Sequence, residues 1–463
     1  MVKISRFAHF YDLGDSIAIY HSLRMRPVFL LKEVYNKLQN WLNSSFSDSI
    51  SNLPSDIKME VNELIKAKIL TQSYDEDDKV FEFVKSNIPT AAISVCYMIL
   101  TEQCNLACKY CFLGNNDSKK RELFSKESMS IDTADKAIDF FIRQLKISNV
   151  NEENCKPVLI FYGGEPLINF SVLEYIATKV NNLSKKEKIL KNIEMSVVTN
   201  GVLLDESKIK SLNKLGVNIS ISIDGFTKES NNLRVYVNNK PVFSDILKVL
   251  DKCKLLGVNV SLSVTITEET IKNKLSVLEL LNMYSIKSFG FNIMMSSDTF
   301  TLSNSYNEAA AQFIIDIFIE LRKLGIYEDR IMRKLNSFSK AQIYFSDCAA
   351  TSGAQIVIAP NGEVGVCHGC LHDKKYFVSH INDKNFNAIT NETFIEWAKL
   401  IPMNNENCIS CPALGICGGG CPINAMYLGK NNTIHSIDER FCIHSKKTLE
   451  FFIKDLYRIV SQK

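Results

Sequence analysis

The stretch TEQCNLACKYCFLGN, residues 101 to 115, follows a strand-like apolar run, SVCYMILT. Cys104, Cys108 and Cys111 stand four and three residues apart, with Tyr110 and Phe112 on either side of the last. Three thiolates make an incomplete cage for a tetrahedral metal. Sulfur ligands at close spacing select zinc or iron–sulfur. A closed zinc site would need a fourth protein ligand, which Cys96 or Cys155 could supply. A 4Fe–4S cluster held by three cysteines instead leaves one iron for a small chelating molecule.

Composition limits the rest. The chain has 463 residues, 46% of them hydrophobic, enough for real cores. Its length suggests roughly two to four domains. Basic and acidic residues number 54 and 51, a net charge of +3 that gives no general affinity for nucleic acid or membrane surfaces. The beginning, MVKISRFAHFYDLGDS, has no apolar h-region. No apolar run approaches the roughly 18 residues that span a bilayer. A cytoplasmic protein is expected, and in a reducing compartment 14 cysteines point to metal binding rather than disulfides. Cys96, Cys155 and Cys253 fall in or beside apolar elements and read as buried structural cysteines.

Residues 1–92 read as a winged-helix-like α+β unit. SIAIYHSL and RPVFLL look like strands, LKEVYNKLQNWL and SDIKMEVNELIKAKIL like helices, and DEDD (75–78) like a turn before a last strand, KVFEFV. From residue 93 to 304, six strand-like runs alternate with helical stretches, implying an α/β fold with a parallel sheet. The runs PVLIFYGGEP, IEMSVVTNG and VNISISIDG each end in a polar or glycine-rich corner. Ligands of parallel α/β folds sit at the carboxyl ends of the strands. Residues 305–345 read as linker helices, 346–445 as a loop-rich segment with eight cysteines, and 446–463 as a closing helix.

Cys-x3-Cys-x2-Cys with Tyr110 before the last cysteine resembles the radical S-adenosylmethionine (SAM) enzymes. The resemblance implies a partial (β/α)6 barrel. It also implies that Cys104, Cys108 and Cys111 hold a 4Fe–4S cluster whose open iron chelates SAM. Gly163, Gly164, Glu165 and Pro166 match the family motif for the methionine amino group of SAM. Two glycines allow close approach of the backbone, and Glu165 can face an ammonium. Thr199 and Asn200 in TNG, and Ser222 and Asp224 in SIDG, end the next two strands. By the resemblance, Ser222 and Arg234 contact the ribose or carboxylate of SAM, and Tyr110 and Phe112 lie by the adenine. One electron would cleave SAM to a 5′-deoxyadenosyl radical that takes a hydrogen atom from the substrate.

Cys348, Cys367, Cys408, Cys411, Cys417, Cys421 and Cys442 are similar in spacing to the seven-cysteine SPASM extension, with Gly362 at its glycine position. The resemblance implies two auxiliary 4Fe–4S clusters, making three in all. Cys348, Cys367 and Cys421 would bind the first, and Cys408, Cys411, Cys417 and Cys442 the second. Cys370 either supplies a fourth ligand to the first or leaves an open iron for a substrate thiolate. Zinc sites remain the alternative, because zinc ribbons also use Cys-x2-Cys.

Two branches of this family act on polypeptides. One oxidises a sulfatase residue to formylglycine, and the other crosslinks ribosomally made precursor peptides through thioether or carbon–carbon bonds. The N-terminal unit resembles the leader-recognition domains of peptide maturases, which add a peptide to a sheet edge. Sulfatase maturases carry an Asp where this chain has His368, a candidate base. A peptide maturase forming a thioether is therefore expected, with a leader-bearing precursor peptide and a flavodoxin or ferredoxin as partners and neither nucleic acid nor membrane. A cluster-bearing electron carrier or zinc-binding module is the non-enzymatic alternative.

Overall fold

A computed structural model of the chain describes residues 2–44, 55–71, 73–111, 113, 127–148, 156–296, 300–428 and 433–462. The chain divides into two compact units. The first comprises Met1–Pro89, Ile331–Cys348 and Leu400–Lys463, and the second Thr90–Arg330 and Ala349–Lys399.

The first unit opens with β1 (Lys3–Ile4), β2 (Ala8–Asp12), β3 (Ser16–His21) and β4 (Pro27–Leu31), followed by α1 (Lys32–Leu42), α2 (Lys58–Lys66), β5 (Leu70–Thr71) and α3 (Tyr74–Ser86). β2, β3 and β4 form an antiparallel sheet with β3 in the middle. β3 is buried along almost its whole length, as a central strand covered on both faces must be. Leu38 and Trp41 of α1 and Val61 and Leu64 of α2 pack with Ile19 and Leu30 of the sheet. The expected turn at 75–78 and strand at KVFEFV are instead one helix, α3. Three acidic residues in its first turn suit the positive end of the helix dipole. Asp77 is buried and accepts from Ser5 Oγ at 2.7 Å and the Arg6 amide at 2.9 Å. Phe81 and Val84, one helical repeat on, face Phe7, Leu23, Ile401, Met403 and Leu414. That core joins the beginning of the chain to residues beyond 400. Phe338 lies between the rings of Tyr20 and Phe452, the latter on the closing helix Glu439–Ser461.

The second unit is α/β. Its strands are β6 (Val95–Thr101), β7 (Val158–Gly163), β8 (Glu194–Thr199), β9 (Val217–Ile223), β10 (Val260–Ile266), β11 (Ser288–Ile293), β12 (Tyr327–Glu328), β13 (Gln355–Ile358), β14 (Glu363–Gly365) and β15 (Phe377–His380). They form one sheet in the order β12-β11-β10-β9-β8-β7-β6-β13-β14-β15. β6 to β12 pair in parallel with their sequence neighbours, and a helix follows each of β6 to β11. All six expected strands are present. The sequence did not suggest that β13 would add to the outer side of β6 in parallel, nor that β14 and β15 would extend the sheet antiparallel.

Alternation along these strands separates two faces. Leu159 and Phe161, Val197, Ile219 and Ile221, Leu262 and Val264 are buried on one side. Tyr162, Ser196, Ser220, Ser222 and Ser263 lie half-buried on the other. Cys96 is fully buried on β6, and Cys253 in the helix Phe243–Leu255, as structural cysteines should be. Cys155 lies outside the described residues. Among the described residues no helix is long and apolar enough to cross a membrane.

Replacing Asp77 with Ala removes a charged acceptor from two buried donors. The expected loss is about 2 kcal/mol, read as faster hydrogen exchange along Tyr74–Ser86. Unchanged protection there would show that the acidic turn does not anchor α3.

Candidate functional site

The carboxyl end of β7 lies directly on the backbone that precedes Cys104. The Gly164 amide donates to the Thr101 carbonyl at 2.9 Å, and the Glu165 amide to the Gln103 carbonyl at 2.8 Å. A Cβ on Gly163 would stand 2.2 Å from the Thr101 oxygen, and one on Gly164 2.3 Å from the Gln103 oxygen. Real Cβ atoms do not approach so closely, so both positions require glycine. Gly163 also has φ +146°, which disfavours any side chain.

Glu165 is buried beside this contact. Its Oε1 accepts from Thr199 Oγ1 at 2.6 Å and the Leu167 amide at 3.0 Å, and its Oε2 from the Asn200 amide at 2.8 Å. Asn200 Nδ2 donates to Asn105 Oδ1 at 2.8 Å, inside the cysteine loop. Thr199 and Asn200 thus hold Glu165 and the loop together. Pro166 starts a short 3-10 turn and is buried.

Asp224 and Arg234 form a buried ion pair at 2.8 Å. Tyr110 donates its hydroxyl to both Asp224 oxygens, at 2.6 and 2.7 Å, and accepts from Arg234 Nη2 at 2.6 Å. The Ala107 amide donates to Val235 O at 2.7 Å and the Lys109 amide to Leu233 O at 2.9 Å. The segment around Arg234 is therefore laced to the cysteine loop on both sides of Cys108. The sequence pointed to Tyr110 and Arg234 as cofactor contacts and did not show this tie. Arg234 Nε is buried with no hydrogen-bond partner. Ser222 is half-buried on β9, and Phe112 lies outside the described residues.

Cys104, Cys108 and Cys111 stand close enough for each charge to disfavour the next. Burial raises the Cys104 thiol strongly and lifts Cys108 to about 12, and the neighbouring thiols add to both. Cys96 is not among their neighbours, and it sits five residues before the end of β6, roughly 16 Å at about 3.3 Å per residue. It cannot close a zinc site with them. Among the described residues no three His, Cys, Asp or Glu side chains converge on a single ion. Tetrahedral zinc would draw its sulfurs to within about 4 Å of one another. A four-iron cluster spreads them further.

A second convergence lies in the first unit. Burial raises Cys408 to about 11 and Cys442 to about 12, with Cys411 also raised, and Cys417 acts on all three. Cys408, Cys411, Cys417 and Cys442 thus lie near enough to influence one another. Lys446 is the nearby cation that opposes each rise. Cys348 and Cys421 also belong to the first unit, whereas Cys367 and Cys370 belong to the second. The thiols of Cys367 and Cys370 interact across a single 3-10 turn, where the Gly369 amide donates to Cys367 Sγ at 3.3 Å. The Leu106 amide approaches Cys104 Sγ in the same way, at 3.4 Å. His368 stacks on Tyr97 at 4.3 Å and meets Tyr162 edge-on at 4.9 Å. Burial lowers its pKa to about 4, making it a neutral ring and a weak base.

Residues 98–281 match the family model of the radical SAM superfamily. The chain carries a radical SAM domain. Over 458 aligned residues it is 26% identical to the radical SAM cyclopropyl synthase TigE of Paramaledivibacter caminithermalis, covering 88% of this chain and 86% of that protein. It is also 26% identical to a cysteine-type anaerobic sulfatase-maturating enzyme of Clostridium perfringens, covering 69% of this chain and 85% of the relative. In fold it resembles native anSMEcpe with bound AdoMet, at TM-score 0.63 and 21% identity, covering 79% of this chain and 98% of that one. It resembles Streptococcus suis SuiB bound to precursor peptide SuiA at TM-score 0.50 and 15% identity, covering 96% and 100%. The relatives of this chain thus include a radical SAM cyclopropyl synthase and a sulfatase-maturating enzyme.

A radical SAM domain implies one 4Fe–4S cluster and SAM. The residues present fit both. Three cysteines share one loop with no fourth cysteine beside them among the described residues, a buried carboxylate lies next to a backbone cradle that excludes Cβ, and a buried guanidinium nitrogen has no partner.

Burial raises the Glu165 carboxyl from 4.5 to about 6, against the three donors that favour its ionised form. A raised carboxyl stabilises the fold below pH 4.5, and that contribution is lost as pH rises through 6. Between pH 4.5 and 7 the metal-free wild type should lose about 2 kcal/mol relative to Glu165→Gln. Urea unfolding of both proteins at the two pH values measures this. A pH-independent gap would show that Glu165 is not held in a neutral-favouring environment.

Proposed function

We propose that this radical SAM enzyme modifies a ribosomally made precursor peptide, joining a cysteine sulfur to a carbon as a thioether. The observation that carries the reading is the sheet-and-helix unit ahead of the radical SAM domain. Among the described residues no further strand pairs with β2 or β4 of its three-stranded sheet, and an extended leader can add to such an edge. The similarity to SuiB, whose structure holds its precursor peptide, supports a peptide partner.

We read the second unit as a partial (β/α)6 barrel and assign the roles on that basis. Cys104, Cys108 and Cys111 hold the cluster. Glu165 faces the amino group of SAM, and the Nε of Arg234 lies free to meet an anionic group such as its carboxylate. Thr199 and Asn200 fix Glu165, while Tyr110 and Asp224 fix Arg234. When bound, cluster and SAM supply hydrogen-atom abstraction. The chain's own task is to place one substrate hydrogen and to exclude water. Cys408, Cys411, Cys417 and Cys442 form a closed four-thiol set suited to an auxiliary 4Fe–4S cluster. The low basicity of His368 supports an orienting role beside Cys367 over that of a base. A flavodoxin- or ferredoxin-type protein is the reductant this chemistry requires.

The contact between the Cys367 and Cys370 thiols supports counting Cys370 as a ligand to the same cluster as Cys367. Cys370→Ala should then lower the iron content per chain and alter the Mössbauer spectrum of the reconstituted protein. Identical iron content and an identical spectrum would exclude Cys370 as a ligand.

Similarity over most of the chain to a cyclopropyl synthase gives carbon–carbon bond formation its own footing. The sulfatase-maturating relative gives formylglycine formation another. Anaerobic co-expression with candidate cysteine-containing precursor peptides separates all three. A thioether removes two hydrogens and one alkylatable thiol, whereas a carbon–carbon bond removes two hydrogens and leaves every thiol reactive. An unmodified peptide alongside a formylglycine-bearing sulfatase would overturn peptide crosslinking.

A further inference from the structure

Cys417 ends the short helix Leu414–Cys417, and a stretch some 70 residues earlier in the first unit braces it. The Tyr344 amide donates to the Gly415 carbonyl at 2.8 Å, and the Asp347 amide to the Gly418 carbonyl at 2.7 Å. Between them, Lys334 Nζ donates to the Cys417 carbonyl at 2.8 Å and to the Ile416 carbonyl at 3.4 Å. Successive carbonyls from Gly415 to Gly418 thus accept from residues 334–347, a stretch whose sequence read mainly as linker. Gly418 closes the contact. Its φ is +67°, and a Cβ there would stand 2.6 Å from the Asp347 amide nitrogen.

Bracing accounts for the two amides, but not for the lysine. A lysine that caps a helix end ordinarily lays its stem on the surface and keeps its ammonium in water. Lys334, in the helix Asp329–Lys340, is 0% exposed. Its ammonium also lies 5.7 Å from the centre of the Tyr344 ring, and Arg333 fixes that ring by donating to its hydroxyl at 2.8 Å. A cation sealed in this way acts through a low dielectric, where its charge is felt far more strongly than in water. The backbone it grips is that of Cys417, one of the four cysteines read above as ligands of an auxiliary cluster. A 4Fe–4S cluster on four thiolates is anionic and gains one more negative charge on reduction. A buried cation beside it therefore favours the reduced form.

We propose that Lys334 is a positioning residue for the site of Cys408, Cys411, Cys417 and Cys442. It fixes Cys417 through the carbonyl and raises the reduction potential of the cluster there with its charge. This rests on the auxiliary-cluster reading. A cluster poised upward in this way accepts an electron more readily than it donates one.

The test is an EPR-monitored redox titration of the reconstituted full-length protein. The transition absent from Cys417→Ala belongs to the four-thiol site. Lys334→Gln keeps a donor for the Cys417 carbonyl and loses the charge. Its transition should move down by about 59 mV, a tenfold weaker hold on the electron. Lys334→Arg keeps the charge and should titrate close to wild type. Loss of iron from the site in Lys334→Gln but not in Lys334→Arg would likewise support a requirement for the charge. A purely structural brace would not make the potential follow the charge. Wild-type potentials in both variants, an equal fall in both, or loss of iron in both overturns the inference alone. A Cys417→Ala protein with the iron content and spectrum of wild type overturns the auxiliary-cluster reading and the inference with it.

Discussion

Two backbone amides, of Gly164 and Glu165, donate to the carbonyls of Thr101 and Gln103, across a contact too close for any Cβ. The placement of the site follows from this contact. It fixes where the cysteine loop leaves β6, and so where Cys104 begins. It also aims Glu165 at the end of β8, where Thr199 and Asn200 meet it. Asn200 then reaches back to Asn105 in the loop. Three strand ends and one loop are thereby locked in a circuit that no single hydrogen bond could set.

A second lock works by charge. Tyr110 joins the cysteine loop to the Asp224–Arg234 pair, a buried ion pair with extra hydrogen bonds. Removing one partner of such a pair costs far more than the pair contributes over an apolar substitute. Its use here is specificity of placement, since Tyr110 can satisfy both charges in only one loop conformation. The thiols beside it are in the opposite condition. Burial favours their neutral form, so metal must displace their protons as it binds.

Much of this architecture was legible in the sequence because the parallel strands bury one face with regularly spaced apolar residues, and six of them alternated with helical periods. The cysteine spacings were equally plain. The failures have local causes. DEDD looked like a turn because four acidic residues favour solvent, yet Asp77 is sealed against Ser5 and Arg6 in the first turn of a helix that begins at Tyr74. KVFEFV alternates like a strand, but only Phe81 and Val84 are buried, and Phe83 is 66% exposed. The addition of β13 to β6 is a pairing between residues some 260 positions apart, which periodicity cannot show.

The first unit draws its core from both ends of the chain. Phe7 and Leu23 pack with Ile401, Met403 and Leu414, so the loop that must close is almost 400 residues long. During synthesis Phe7, Leu23 and the apolar face of α3 emerge first and wait for partners made much later. The second unit, whose strands pair with sequence neighbours, can fold meanwhile as it leaves the ribosome. Closure of the first unit therefore comes late, and a chain truncated before residue 400 would leave Phe7, Leu23 and the apolar face of α3 exposed to aggregation.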